Sequence, residues 1–147
     1  MIALLQRVQR ASVTVHDLEI ASIGKGLLIL LGVAKGDTQT DLEKLLDKIS
    51  TLRVFPDEQG KLNHDLLQAG GSVLCVSQFT LLADCRKGRR PGFSQAEAPE
   101  LAKPMWELFC EGMERRGIPV GRGEFGADMQ VSLINDGPLT IHLDSRA

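Results

Sequence analysis

Two short stretches of the chain hold groups from which chemistry could be built. Ser77-Gln78-Phe79-Thr80 sets two hydroxyls and an amide around one aromatic ring, directly after the apolar run Val73-Leu74-Cys75-Val76. Asn135-Asp136-Gly137-Pro138-Leu139-Thr140 embeds a Gly-Pro pair in a strand-like segment from Val131 to Leu143. Proline has no N–H to give a β-ladder, so Pro138 belongs at a bend, an edge or a strand end. Gly137 reaches backbone angles closed to other residues. An X-Pro bond is also the place where a cis peptide costs only about 0.5–1 kcal/mol. Such a backbone feature beside a hydroxyl-rich loop predicts a pocket that reads shape. The plainer reading, that Gly137-Pro138 is only a turn, stays open at this point.

The hydroxyls of Ser77 and Thr80 first suggest nucleophilic hydrolysis. Such a nucleophile needs a base, usually a histidine held by a carboxylate. His16 and His64 lie in turn-like polar settings, His142 alternates on a late strand, and none is tied to Ser77 by a local motif. The G-x-S-x-G elbow is absent. There is no H-E-x-x-H and no paired Cys/His spacing for a metal. No Gly-rich phosphate loop occurs either, so no cofactor is expected. Asp136 has no partner at glycosidase-like spacing and reads equally well as a turn residue. What remains is a pocket with weak side-chain chemistry and strong backbone features. It suits a substrate whose own group does the chemistry once it is oriented.

The elements that must position these motifs can be read from periodicity. Residues 2–9 and Ser12 to Val15 are strand-like, a third strand covers Leu18 to Ile23, and Gly24-Lys25-Gly26 turns the chain into a fully apolar strand at 27–34. This predicts a β-meander. A helix follows, capped by Thr40 with Glu43, with Leu42, Leu45, Leu46 and Ile49 on one stripe. Arg53-Val54-Phe55 is extended, and Pro56 to Gly60 is a turn. Gly70-Gly71 opens the strand 72–76 that delivers Ser77. A second helix carries Leu108, Phe109, Gly112 and Met113 on its apolar face and ends at Gly117. Ser94 with Glu97 resembles its cap. Pro104 requires either a start near residue 103 or a kink. The end of the chain, from Val120 to Leu143, returns to strands. The expected fold is α+β: a curved, β-barrel-like sheet with two main helices.

The 147 residues suffice for one domain with a real core, and no linker or repeat divides residues 1–147. A formal net charge of −2 does not advertise a polyanion partner, so a nucleic-acid role needs a local basic patch. Arg86-Lys87-Gly88-Arg89-Arg90 is one; it reads either as a solvated loop or as a phosphate contact. It lies in a long loop, 83–95, of the kind that is often functional. Cys75, Cys85 and Cys110 are odd in number and widely spaced, which argues against a disulfide framework. With no signal peptide and no apolar stretch of about 18 residues, the chain is expected to be cytoplasmic and to engage no membrane.

At its two motifs the sequence resembles the D-aminoacyl-tRNA deacylases. The resemblance runs the length of the chain. It includes Met1 to Val8, Ala11-Ser12-Val13, Gly26-Leu27-Leu28, Leu31-Gly32-Val33, Gly70 to Leu74 and Val76 to Leu81. It continues through Arg90-Pro91, Phe93-Ser94, Gly123 with Phe125 to Met129, and Val131 to Thr140. It implies a homodimeric hydrolase that frees tRNA whose acceptor end carries a D-amino acid or glycine. It also implies that Gly137-Pro138 is cis and enters the other subunit's pocket, where its carbonyl oxygens exclude an L side chain. Ser77, Gln78, Phe79 and Thr80 would line the catalytic site, with amides near Phe79 and Thr80 polarising the ester carbonyl. Thr80 is the natural nucleophile guess, but the family reading favours help from the 2′-hydroxyl of the terminal ribose. Phe125 and Met129 match positions near the adenosine pocket or are plain core. Arg7 matches an arginine that braces the Gly-Pro unit or forms a surface salt bridge. Gly92 departs from the serine common in the family after Arg-Pro. Two rivals predict different outcomes: a tRNA-end binder that shields the ester, and a small-molecule esterase using Thr80 or Ser77.

Overall fold

A computed structural model describes residues 1–147. Its first strand organises everything else. β1 (Ile2–Val15) alternates buried and half-buried residues along most of its length and is one continuous strand, where the sequence suggested two. It changes partner midway. Its first half pairs antiparallel with β3 (Gly26–Gly32), its second half with β2 (Leu18–Ile23), and β8 (Gln130–Asp144) runs along its other edge throughout. The sheet order β2-β1-β3-β6-β7 corrects the expected meander, because β2 and β3 both pair with β1 and not with each other. The long strand bends at register shifts, and local bulges of this kind increase twist and curl a sheet.

β3 is apolar on both faces because it lies in the middle of the sheet. Ala3, Leu5, Leu27, Ile29, Val73 and Cys75 face the helices; Val8, Val13, Leu28, Leu74 and Val76 fill the inside of the curl. β6 (Ser72–Ser77) lies parallel to β3, and β7 (Val120–Arg122) lies parallel to β6. Gly26 fixes where β3 and β6 meet: a Cβ there would lie 1.8 Å from the Ser72 carbonyl oxygen. The sheet and its helices form the α+β, nearly closed barrel that the sequence predicted.

The first helix, α1 (Gln39–Thr51), buries the predicted Leu42, Leu45, Leu46 and Ile49. Each such side chain contributes about 1.5–3 kcal/mol on leaving water. The helix begins earlier than expected, with Thr38 rather than Thr40 at its cap. The Thr38 N–H donates to the Asp41 carboxylate at 2.9 Å. A short two-stranded sheet, β4 (Phe55–Pro56) with β5 (Leu62–His64), and a one-turn helix, α2 (Leu66–Ala69), lead to β6.

The second main helix, α3 (Pro99–Arg115), starts at Ala98 and not at the Ser94/Glu97 pair. Pro104 lies inside it. Its ring removes one N–H, but Glu100, whose carbonyl loses that partner, is exposed and open to water. The helix ends as predicted. Gly117 (φ +82°) donates to Glu114 at 2.9 Å and Ile118 donates to Met113 at 3.2 Å, the paired bonds of a Schellman turn. Phe109, Gly112 and Met113 are buried as expected, together with Ala102, Trp106 and Cys110. Leu108 is 36% exposed and belongs to another face.

The start and end of the chain meet. The Met1 ammonium lies 2.6 Å from Asp37 and 2.8 Å from the Ser145 hydroxyl, and that hydroxyl donates to Asp41 at 2.8 Å. No helix is long and apolar enough to cross a membrane.

Candidate active site

β6 delivers its motif to the end of the barrel where β3, β6 and β7 all finish. Parallel strands leave a crevice beyond their carboxyl ends, a usual place for ligands in α/β sheets. The last ladder bond runs from the Gln78 N–H to the Leu31 carbonyl at 2.8 Å. The chain then tightens into a 3₁₀ turn, Phe79–Leu82. The first amides of such a turn have no acceptor within it, so the N–H groups of Phe79 and Thr80 open this segment as potential donors.

A cavity of about 800 Å³ occupies the crevice. That is within the size range of ordinary ligand sites. Ser77, Gln78 and Phe79 form one wall, and Phe125 and Met129, from the segment after β7, form another. Trp106 of α3 closes the back, 6.0 Å from the Phe125 ring. Its indole Nε1 is the only buried side-chain nitrogen or oxygen without a hydrogen-bond partner. Phe79, 56% exposed, stands at the rim with Phe93 edge-on at 4.9 Å. The lining is mostly apolar; Lys35, Glu97 and Asp128 are its charged members.

The chemistry available here is restricted. No histidine lines the cavity. Thr80 is exposed, does not line the cavity, and its hydroxyl accepts a hydrogen bond from the Gln78 side-chain amide. An amide donor is not a base, so this arrangement does not activate Thr80 as a nucleophile. Nowhere in the chain do three His, Cys, Asp or Glu side chains gather as a metal-binding group. Behind the wall, burial pushes the Cys75 thiol well above its usual range, with help from the neighbouring Cys110. A thiol held neutral in this way is inert packing. The cavity offers shape, amides and the Ser77 hydroxyl.

Gly137-Pro138 and Arg7 lie elsewhere. The Gly-Pro bond is cis. Asn135 pairs with Val8 and Thr140 pairs with Gln6, so four residues, Asp136 to Leu139, oppose the single residue Arg7. The surplus chain bulges out of the ladder and leaves Gly137 and Pro138 exposed. The Arg7 Nε donates to the Asp136 carbonyl at 2.9 Å, and another guanidinium nitrogen donates to the Val54 carbonyl at 2.7 Å. Arg7 is therefore a buried brace with two backbone partners; its ion pair with the Asp136 carboxylate, at 3.5 Å, is the lesser contact.

Asn135, which the residue types alone did not single out, closes the bulge. Its Oδ1 accepts from the Leu139 N–H at 2.8 Å, and its Nδ2 reaches the Leu139 carbonyl and the Thr140 hydroxyl. Its position at the head of the Gly-Pro stretch was the available signal. Phe93 and Trp106 were also missed as wall residues; only their aromatic character pointed to them.

Within one chain the two motifs do not meet. Ser77 lies opposite Leu31, Leu31 opposite Ala3, and Arg7 four residues farther along β1. At about 3.4 Å per residue and about 4.8 Å per strand, Ser77 and Arg7 stand roughly 14 Å apart along the strands and two strand spacings apart across them, and the Gly-Pro bulge on β8 lies one spacing farther.

The sequence model of the family described as D-Tyr-tRNA(Tyr) deacylase matches residues 4–144. The chain belongs to that family. It is 56% identical over 145 residues to a D-aminoacyl-tRNA deacylase of Roseiflexus castenholzii, covering 99% of this chain and 92% of that protein. It is 54% identical over 143 residues to one of Idiomarina loihiensis, covering 97% and 99%. Among solved structures it is similar over the full length of both chains to a c-Myc DNA Unwinding Element Binding Protein, with a TM-score of 0.93 and 44% identity. A probable eukaryotic D-amino acid tRNA deacylase shares the fold, with a TM-score of 0.80 at 20% identity and 97% and 98% coverage. Membership places the chain among hydrolases of aminoacyl-tRNA esters.

Proposed function

We propose that this protein is a homodimeric, cytoplasmic D-aminoacyl-tRNA deacylase that also removes glycine from tRNA. The acceptor end enters the cavity at the carboxyl ends of the parallel strands, with its terminal adenosine against Phe125 and Met129. The ester carbonyl points at the opening amides of the 3₁₀ turn. Donors aimed at a developing oxyanion are among the largest contributions to acyl-transfer catalysis, about 2.7–4 kcal/mol for one donor. Water adds to the carbonyl carbon and gives up a proton to the 2′-hydroxyl, which passes its own to the departing ribose oxygen as the ester C–O bond breaks. The products are the free amino acid and tRNA. Ser77 and Gln78 orient the ester, and Thr80 holds Gln78 in place.

Chirality is read by Gly137 and Pro138 of a second copy. Their carbonyl oxygens fill the space an L side chain would need; a D side chain points away, and glycine has none. The observation that carries this reading is the separation of the two motifs. An exposed Gly-Pro bulge, braced by Arg7 and too far from its own cavity to act there, suits a neighbour's cavity.

The experiment is ester release from one tRNA charged separately with D- and L-tyrosine. Release of D with L untouched is expected. Equal release of both overturns chiral exclusion, and tight binding with release of neither makes the protein a shielding module.

A further inference from the structure

Asp84 and Gly92 exchange both backbone hydrogen bonds, at 2.7 and 2.9 Å. They close a hairpin whose tip holds Arg86, Lys87, Arg89 and Arg90, all exposed. The Asp84 carboxylate is fully engaged from within. It accepts from the Arg86 amide at 3.1 Å and from the Arg86 guanidinium at 2.8 and 2.7 Å. Arg86 is thereby tied back to the stem. Lys87, Arg89 and Arg90 have no salt-bridge partner anywhere in the chain. The formal net charge of the chain is −2, so four cations beside one carboxylate leave the rest of the molecule net acidic. The tip is a local excess of positive charge on a chain that is otherwise net acidic.

The tip has a fixed place relative to the cavity. Phe93, the residue after the hairpin closes, lines the cavity and packs against Phe79 at its mouth. Two further backbone bonds, Lys35 N–H to Gln95 and Glu97 N–H to Val33, both 2.9 Å, pin the following segment to the end of β3. From Phe93 to Arg90 is three residues, at most about 10 Å of chain. Arg89 and Lys87 follow at most about 14 and 21 Å of chain from Phe93, so a chain leaving the cavity along the hairpin meets the three free cations in turn.

We propose that the hairpin Asp84–Gly92 is an electrostatic arm in which Lys87, Arg89 and Arg90 bind backbone phosphates of the nucleotides preceding the terminal one, while the Asp84–Arg86 pair sets its shape. This deepens the deacylase reading and rests on it for the direction of the bound RNA. Contacts to phosphates position a nucleic acid without reading its sequence. Each releases counterions and so makes binding fall with salt.

The test compares the native protein with the Lys87→Ala/Arg89→Ala/Arg90→Ala variant on two substrates across a salt series. One is D-tyrosyl-tRNA. The other is the D-tyrosyl ester of adenosine, which has no preceding phosphate. On tRNA the variant is expected to show a KM raised about ten- to a hundredfold at low salt, an unchanged kcat, and a log–log salt slope shallower by about 2. On the adenosine ester it should match the native protein. Equal loss on both substrates overturns the proposal, because the hairpin would then merely support the cavity wall. An unchanged KM and slope on tRNA overturns it as well.

Binding of uncharged tRNA, measured beside turnover, separates this proposal from the deacylase reading. If the native protein cleaves neither ester but the variant loses tRNA affinity and salt slope, the arm stands and the deacylase reading falls. Millimolar inorganic phosphate that protects the native protein from unfolding, with tRNA affinity identical in both proteins, would assign the tip to free phosphate and overturn the arm.

Discussion

Arg7 and Asp136 are joined through the main chain: the Arg7 Nε donates to the Asp136 carbonyl at 2.9 Å, and the same guanidinium donates to Val54 at 2.7 Å. One planar, permanently charged group thus ties the β8 bulge to β1 and to the residue before β4. Lysine cannot reproduce that fork. Arg7→Lys is expected to lower stability by about 1–3 kcal/mol by leaving a part-buried carbonyl unpaired. It should also let L-aminoacyl esters through while D-ester turnover falls less. Thermal melts and paired D/L hydrolysis rates check both effects.

Gly137→Ala meets two obstacles. The residue sits at φ +146°, and its new Cβ would lie 2.8 Å from the Leu139 amide nitrogen and 3.2 Å from an Arg7 guanidinium nitrogen. Holding a non-glycine residue in such a conformation costs on the order of 1–3 kcal/mol. The bulge must move, so the ratio of D to L hydrolysis is expected to drop by at least about tenfold. A variant that folds normally and keeps its discrimination would disconnect Gly137 from chirality.

Thr80→Val removes the hydroxyl that accepts from Gln78 but no activated nucleophile, and a loss of kcat below about tenfold is expected. Phe79→Pro removes an N–H at the first position of the 3₁₀ turn, where proline is best tolerated. It should cost about 10²–10³ in kcat if that amide meets the oxyanion. Phe79→Leu keeps the amide and separates the loss of the ring from the loss of the N–H. The reverse order, with Thr80→Val the more damaging, would restore Thr80 as the reacting group.

Replacing the terminal adenosine of the charged tRNA by its 2′-deoxy form tests assistance by the substrate. Turnover is expected to fall by more than about a hundredfold, the range of positioned proton transfer, with binding unchanged. Normal turnover of the deoxy substrate would return the proton transfer to the protein.

Acid stability should report the cluster where the two ends of the chain meet. The Thr38 backbone N–H, followed by the Ser145 hydroxyl, lowers the Asp41 pKa to about 2 from an ordinary 3.8. A depressed carboxylate stabilises the fold above its unfolded pKa, and that contribution is lost as pH falls through the folded one. The window is therefore about pH 4 down to about pH 2. Asp41→Asn should cost on the order of 1 kcal/mol at pH 7, after allowance for solvent screening, and nothing below about pH 2. Denaturant titrations at both pH values measure it.

Local patterns in the sequence determined much of this protein. The stripe of α1, the buried strand leading to Ser77, the stop at Gly117 and the order of the two motifs all rest on neighbours within a turn or a strand. Periodicity encodes such relationships directly. The missing N–H of Pro138 likewise pointed to a bend, an edge or a strand end, which the structure makes a bulge. The tertiary structure alone decided what depended on distant register. β1 exchanges β3 for β2 halfway along, four residues of β8 face Arg7, and Phe93 meets Phe79 across the cavity mouth. The separation of the Gly-Pro bulge from the cavity belongs to the same class. It is set by which residues of four strands, β6, β3, β1 and β8, lie opposite one another, and a one-residue slip in any of the three ladders would change it. Leu108 was misjudged for a related reason, since a helix face is buried only where another element covers it; Pro104 sits inside α3, where water reaches the carbonyl that its ring leaves unpaired.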